Sequence, residues 1–183
     1  GSRPDRPRWS MLFLLACSTE LKDDTGSPDT GSSDSGDAPC EWLPAGDRLV
    51  LADACVDGLC GGSPYPDAVS ILGEPDTCAA DAGVAACTWG DVTVTFNDCD
   101  LDGAPDEKNV CDLYEQTFQV AGAWDGASAE GLGLGVRGSC WQETLGPMDG
   151  SGWTFGENPW VHVGVVPYEG PVTTIVLSWS FEE

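Results

Sequence analysis

Eight of the nine cysteines fall at residues 40, 55, 60, 78, 87, 99, 111 and 140, and the ninth stands apart at 17. An even set in a chain of this size reads as a framework of disulfides, formed in an oxidising compartment and stapling a loop-rich fold. Zinc is the competing use. No Cys-x-x-Cys pair occurs and His162 is the single histidine, so the usual zinc-ligand spacings are missing. Eight cysteines allow on the order of 100 pairings. Spacing singles out two, Cys78–Cys87 and Cys99–Cys111, each closing the ends of a hairpin, and leaves the partners of Cys40, Cys55, Cys60 and Cys140 open.

Cys17 has a context of its own. Arg3, Arg6 and Arg8 precede an apolar run from Met11 to Ala16, the layout of a secretory signal ending at a small residue. The stretch Leu14-Leu15-Ala16-Cys17 resembles the lipobox of bacterial lipoproteins. That resemblance implies a signal peptide over 1–16, a lipid (palmitate) anchor on Cys17, and residence at the outer membrane or cell surface. Residues 17–39 follow as an acidic Ser/Gly/Asp linker with too few apolar side chains to order itself. No run approaches the ~20 apolar residues of a spanning helix.

Charge narrows the partners. The chain carries 31 acids against 7 bases, a net −24, and beyond the linker only Arg48, Lys108 and Arg137 are basic. Such a surface repels phosphate backbones, which excludes nucleic acid. It suits a soluble extracytoplasmic monomer or a binder of divalent cations.

The folded part carries an internal self-similarity at an offset of 73 residues. Asp57–Gly62 matches Glu130–Gly135, Leu72-Gly73 matches Leu145-Gly146, and Asp76 matches Asp149. Short helices are expected over Pro66–Leu72 and Ser139–Leu145, each stopped by a glycine with proline close behind. After each helix the period changes to two, through Val92–Phe96, Leu113–Val120, Val161–Val165 and Ile175–Phe181, as half-buried strands require. The expected fold class is therefore α+β, with low helix content. Two tandem helix–antiparallel-sheet repeats occupy 40–122 and 123–183, each sheet covered by its own helix.

The turn at Gly131–Gly135, the endings Leu72-Gly73-Glu74-Pro75 and Leu145-Gly146-Pro147, and Trp89 or Trp160 carry a resemblance. This pattern is similar to the tandem repeats of the β-lactamase-inhibitor-protein-like fold, a unit shared by the SmpA/OmlA family of outer-membrane lipoproteins. The resemblance implies a protein-binding or envelope-scaffold module without catalytic residues.

One loop has a pattern suited to a metal. Asp98, Asp100, Asp102 and Asp106 stand at positions 1, 3, 5 and 9 with Gly103 at position 6, as in the first part of an EF-hand loop. Position 12 is Asn109 where an EF-hand needs a bidentate glutamate, so the segment looks more like the calcium loops of thrombospondin type 3 repeats. Calcium there would stiffen the loop. An acidic hairpin kept soluble by its own charge is the plainer reading.

Other motifs carry less. Gly133-Leu134-Gly135-Val136-Arg137-Gly138 fits G-x-G-x-x-G without the strand–helix–strand context that a dinucleotide site needs. His162 shares a strand face with Trp160, and the two are the residues expected to meet an unknown protein partner. The function expected is a non-catalytic envelope lipoprotein, with calcium as its candidate stabilising ion. The alternatives are an exported hydrolase using carboxylates with His162, or a secreted inhibitor of a hydrolase.

Overall fold

Alternation of apolar and polar residues sets the strands that make up most of the regular structure; the computed structural model describes residues 39–98, 100–105 and 114–181. The elements run β1 (Leu49–Val50), β2 (Cys55–Val56), α1 (Tyr65–Leu72), β3 (Thr77–Asp81), β4 (Val84–Trp89), β5 (Val92–Asn97) and β6 (Tyr114–Ala121). They continue with α2 (Gly138–Leu145), β7 (Gly152–Phe155), β8 (Trp160–Val166) and β9 (Thr174–Phe181). Strands β1 and β2 form a small ribbon. The other seven form one antiparallel sheet in the order β3-β4-β5-β6-β9-β8-β7.

This corrects the expected fold class. The protein is mostly β, and one seven-stranded sheet replaces two repeats with separate sheets. The reason lies in β6 and β9, which pair along their whole length from Tyr114↔Phe181 to Ala121↔Thr174. Left as the margin of a separate half-sheet, either strand would expose an eight-residue edge, a template for unwanted pairing. Joined, they place Phe118, Val120, Ile175 and Leu177, all fully buried, in one continuous core. The helices are only eight residues long, too short to hold without tertiary packing, and they serve as patches on that core.

The 73-residue offset is visible in the backbone. Gly58 and Gly131 have φ of 86° and 77°, Gly62 and Gly135 have 83° and 86°, and Gly73 and Gly146 have 85° and 86°. The last pair ends the two helices, with nearly equal ψ of −170° and −169°. In both places the amide of the glycine reaches back to the carbonyl four residues earlier, Val69 or Gln142, at 2.9 Å.

Among the described residues one face of the sheet is covered and the other is open, except at the end of β5 where Asn97 is buried. Val92, Val94 and Phe96 of β5, Phe118 and Val120 of β6, Ile175 and Leu177 of β9, and Val161, Val163 and Val165 of β8 all face the core. Over them lie the two helices, the β1–β2 ribbon and the segment that leads into α2, contributing Leu49, Leu59, Ala68, Leu132, Val136 and Trp141. Coverage on one side only is the arrangement that period-two alternation specifies.

Among the described residues three disulfides brace the fold. Cys78–Cys87 joins β3 to β4, as its spacing suggests; Cys55–Cys60 closes a tight loop, and Cys40–Cys140 ties the start of the described chain to α2. The pairing of Cys99 with Cys111 lies outside the described residues, as do Cys17, the leader and most of the linker.

Candidate functional site

The acidic loop begins where β5 ends. Asp98 is only 3% exposed, and its amide donates to the Gly83 carbonyl at 2.9 Å, which seats the loop beside the β3–β4 turn. Its carboxylate accepts the amides of Asp102 at 3.2 Å and Gly103 at 3.3 Å. Asp100 also accepts the Asp102 amide at 3.3 Å, and Asp102 accepts that of Ala104 at 2.9 Å. The chain turns sharply through Leu101 and Gly103, whose φ values of 59° and 90° are left-handed. This wrapping brings oxygens of Asp98, Asp100 and Asp102 within 4.8 Å of one another. Asp106 lies outside the described residues.

Those three carboxylates suit a hard cation. Calcium takes six to eight oxygens, so carboxylates supply part of a shell that water or other oxygens must complete. Two of Asp98's oxygens are already engaged by amides, which leaves Asp100 and Asp102, both exposed, as the freer donors.

The second site is the open face of the sheet. Register places Thr154 of β7 beside His162 of β8, His162 beside Ser178 of β9, and Ser178 beside Thr117 of β6. The Thr117 amide then donates 2.8 Å to the Thr95 hydroxyl of β5. Five strands thus contribute a continuous row of hydroxyls with one imidazole among them. Trp160 stands one step along β8, opposite Ser180, and like His162 it is half-buried. The sequence expectation that Trp160 and His162 share a face is met by this register.

His162 is held on two sides. Its Nε2 lies 3.3 Å from the Ser151 hydroxyl and its Nδ1 3.3 Å from that of Thr154. Gly152 makes the room, since a Cβ there would sit 2.9 Å from Nε2 and press on the Val163 carbonyl. Among the described residues the ring's two nitrogens both meet hydroxyls, not the carboxylate that orients the histidine of a hydrolytic triad.

Around the open face the charge is thin. Of the described residues that point to that side, Asp81 of β3 and Glu115 of β6 are the charged ones, in a chain with 31 acids. The rest of that face is Thr, Ser, Ala, Val, Gln, Gly, Asn, Trp160 and His162.

Sequence reasoning missed a cluster behind the core. Arg48 pairs with Asp57 at 2.5 Å and with Asp125, and its guanidinium lies 5.3 Å from the centre of the Trp124 ring. Side-chain hydrogen bonding to Asp57 raises the Arg48 pKa above its ordinary value, with the bond to Asp125 and both negative charges adding to it against a smaller effect of burial. The available signal was the scarcity of cations, because a lone arginine amid so many acids is drawn into a pair. Trp124, Trp141 and Trp153 belong to the core, and Trp42 is 42% exposed.

Comparison with known proteins returns no matching family model, curated sequence or solved structure.

Proposed function

We propose that this is an extracytoplasmic binding protein, held to a membrane by a lipid on Cys17, whose open sheet face docks a protein partner. One observation carries the reading: the face bearing Trp160 and His162 is nearly free of charge in a chain of net −24. Charged residues are depleted at the centres of interfaces, and aromatic residues are enriched there. Seven strands at ~4.8 Å spacing and ~3.4 Å per residue give a face of roughly 600 Å², close to the ~800 Å² per partner of a standard interface. The lipobox-like stretch and the acidic linker supply the address and the tether. Calcium at Asp98, Asp100 and Asp102 fits the same picture as a loop stiffener at one end of the sheet.

Catalysis has less to support it. His162 lines neither a cleft of about 200 Å³ beside Leu49 and Leu145 nor one of about 380 Å³ beside Asp53 and Trp179.

The test compares the lipid-free chain with a Trp160→Ala, Ser178→Lys variant as immobilised baits in envelope extracts. A protein retained by the first and lost by the second supports the reading, whereas identical capture by both ends it. Intact mass spectrometry of native material tests the anchor, which fails if position 17 carries no lipid. Calorimetry with calcium, with Asp100→Asn as control, tests the ion.

A further inference from the structure

The edge of the sheet at β3 is a second place where chain can be added, independent of the open face. Among the described residues β3 pairs with β4 alone. The two strands are joined by Ala82-Gly83, both with positive φ (51° and 87°), between the closing pair Asp81↔Val84. A two-residue turn of this kind hydrogen-bonds its closing pair, and pairs alternate from there. Asp81↔Val84 and Ala79↔Ala86 therefore exchange ladder bonds, while Ala80↔Ala85 and Cys78↔Cys87 do not. The Cα separation of 4.1 Å at Cys78–Cys87 agrees, because non-bonded pairs lie at ~4.5 Å and bonded ones at ~5.5 Å. The amide and carbonyl groups of Cys78 and Ala80 consequently point away from β4, out of the sheet.

Between its acidic ends nothing on β3 guards that edge. Natural edge strands are blunted by lysine, proline, bulges or a covering segment. The sequence Thr77-Cys78-Ala79-Ala80-Asp81 has small side chains, no proline and no lysine, and its residues are exposed except for half-buried Ala80. The disulfide to Cys87 holds the strand in place, so little order is lost when another strand docks.

Charge selects the occupant. Glu74 and Asp76 stand at one end of β3, Asp81 at the other, and the Asp98 loop is hydrogen-bonded to the turn through Gly83. A second copy brings another net −24 to the same edge and is repelled. The geometry points to strand addition at β3 by an extended segment of a partner protein that carries basic residues at both ends of a β-forming stretch. Main-chain bonds to Cys78 and Ala80 would give the affinity and the flanking acids the selectivity.

The probe is the capped peptide Lys-Val-Thr-Val-Thr-Lys, whose lysines span the five-residue interval from Asp76 to Asp81, titrated into the full lipid-free chain and followed by amide NMR. The expected result is shifts and slowed exchange centred on Cys78 and Ala80, weakened by salt, with far weaker binding of a peptide ending in glutamate. Ala80→Pro removes an outward amide without touching the ladder to β4, a position where edge strands accept proline, and should cost about tenfold in affinity. Ala79→Lys leaves the backbone alone and should weaken binding by like charge, which keeps the test alive if the proline variant does not fold. Trp160→Ala should leave peptide binding unchanged, separating this edge from the open face. The inference falls if no binding is seen at millimolar peptide, if shifts centre elsewhere, or if the glutamate peptide binds equally. It also falls if folded Ala80→Pro and Ala79→Lys both bind as wild type does, or if the same amides become protected by self-association without peptide.

Discussion

The Trp124 indole N–H donates to Asp57 Oδ2 at 2.9 Å, and the other oxygen of that carboxylate binds Arg48. Trp124 is 7% exposed, so its N–H has little access to water if Asp57 is lost. Asp57→Ala should therefore destabilise by about 1–3 kcal/mol, the cost of a buried donor left unpaired. Arg48→Ala should cost about 1 kcal/mol or less, since the arginine is largely solvated. Urea denaturation of the two variants gives the comparison, and equal losses would mean that the ion pair, not the indole bond, holds the segment. Because the Arg48 pKa is raised, its contribution is complete at neutral pH and is lost only as strongly alkaline pH passes that raised value. Salt, not neutral pH, should be the condition that weakens it.

Gly73 and Gly146 offer a matched pair. Their φ values are 85° and 86°, and a Cβ at either would meet nothing within 4 Å. With ψ of −170° and −169° this is backbone that only glycine adopts readily, so alanine at each should cost about 1–3 kcal/mol from strain alone, by nearly the same amount at both sites. Thermal unfolding of the two single variants checks this, and a large difference would mean that packing contributes at one of them.

Two tryptophans anchor those same helix ends. Trp89 Nε1 donates to the Gly73 carbonyl at 2.8 Å and Trp153 Nε1 to that of Gly146 at 2.9 Å. Phenylalanine at either position removes one hydrogen bond, worth about 1 kcal/mol. Trp153 is 4% exposed and stacks on Trp141 at 6.1 Å, so Trp153→Phe should cost more than Trp89→Phe. Chemical denaturation gives the order.

The disulfides should rank by the loops they close. Cys40–Cys140 spans 100 residues, Cys78–Cys87 spans 9 and Cys55–Cys60 spans 5. In the chain-entropy model, replacing both cysteines of the first should cost about 4.7 kcal/mol and of the last about 2 kcal/mol. Measured stabilities in the reverse order would show that native packing around the short loop outweighs the entropy of the long one.

Gly152→Ala should displace His162 and disturb β7–β8 pairing, because the new Cβ meets both the imidazole and the Val163 carbonyl. The histidine proton resonances report the displacement directly. Unchanged resonances would mean that the strand shifts to accommodate the methyl while the ring keeps its place.

Much of the fold was legible locally. Period-two alternation marked Val92–Phe96, Val161–Val165 and Ile175–Phe181 as strands because burying one face imposes it, and the glycine stops marked both helices because a residue at positive φ after the last turn is most easily a glycine. The Cys78–Cys87 bridge was readable from its hairpin spacing. The grouping of Asp98, Asp100 and Asp102 was readable too, since alternate residues of a tight loop turn the same way. None of these needs knowledge of anything distant in the chain.

The rest was decided by partners far apart in sequence. Whether β6 meets β9, making one sheet of seven strands where two repeats were expected, depends on edges that alternation cannot assign, since both answers bury the same faces. The Cys40–Cys140 link, the Arg48–Asp57–Trp124 cluster and the row from Thr95 to Thr154 likewise join residues that only the packed sheet brings together. Periodicity fixes which side of a strand is buried; which strand lies next to it follows from the shared core, and so does everything that depends on neighbours.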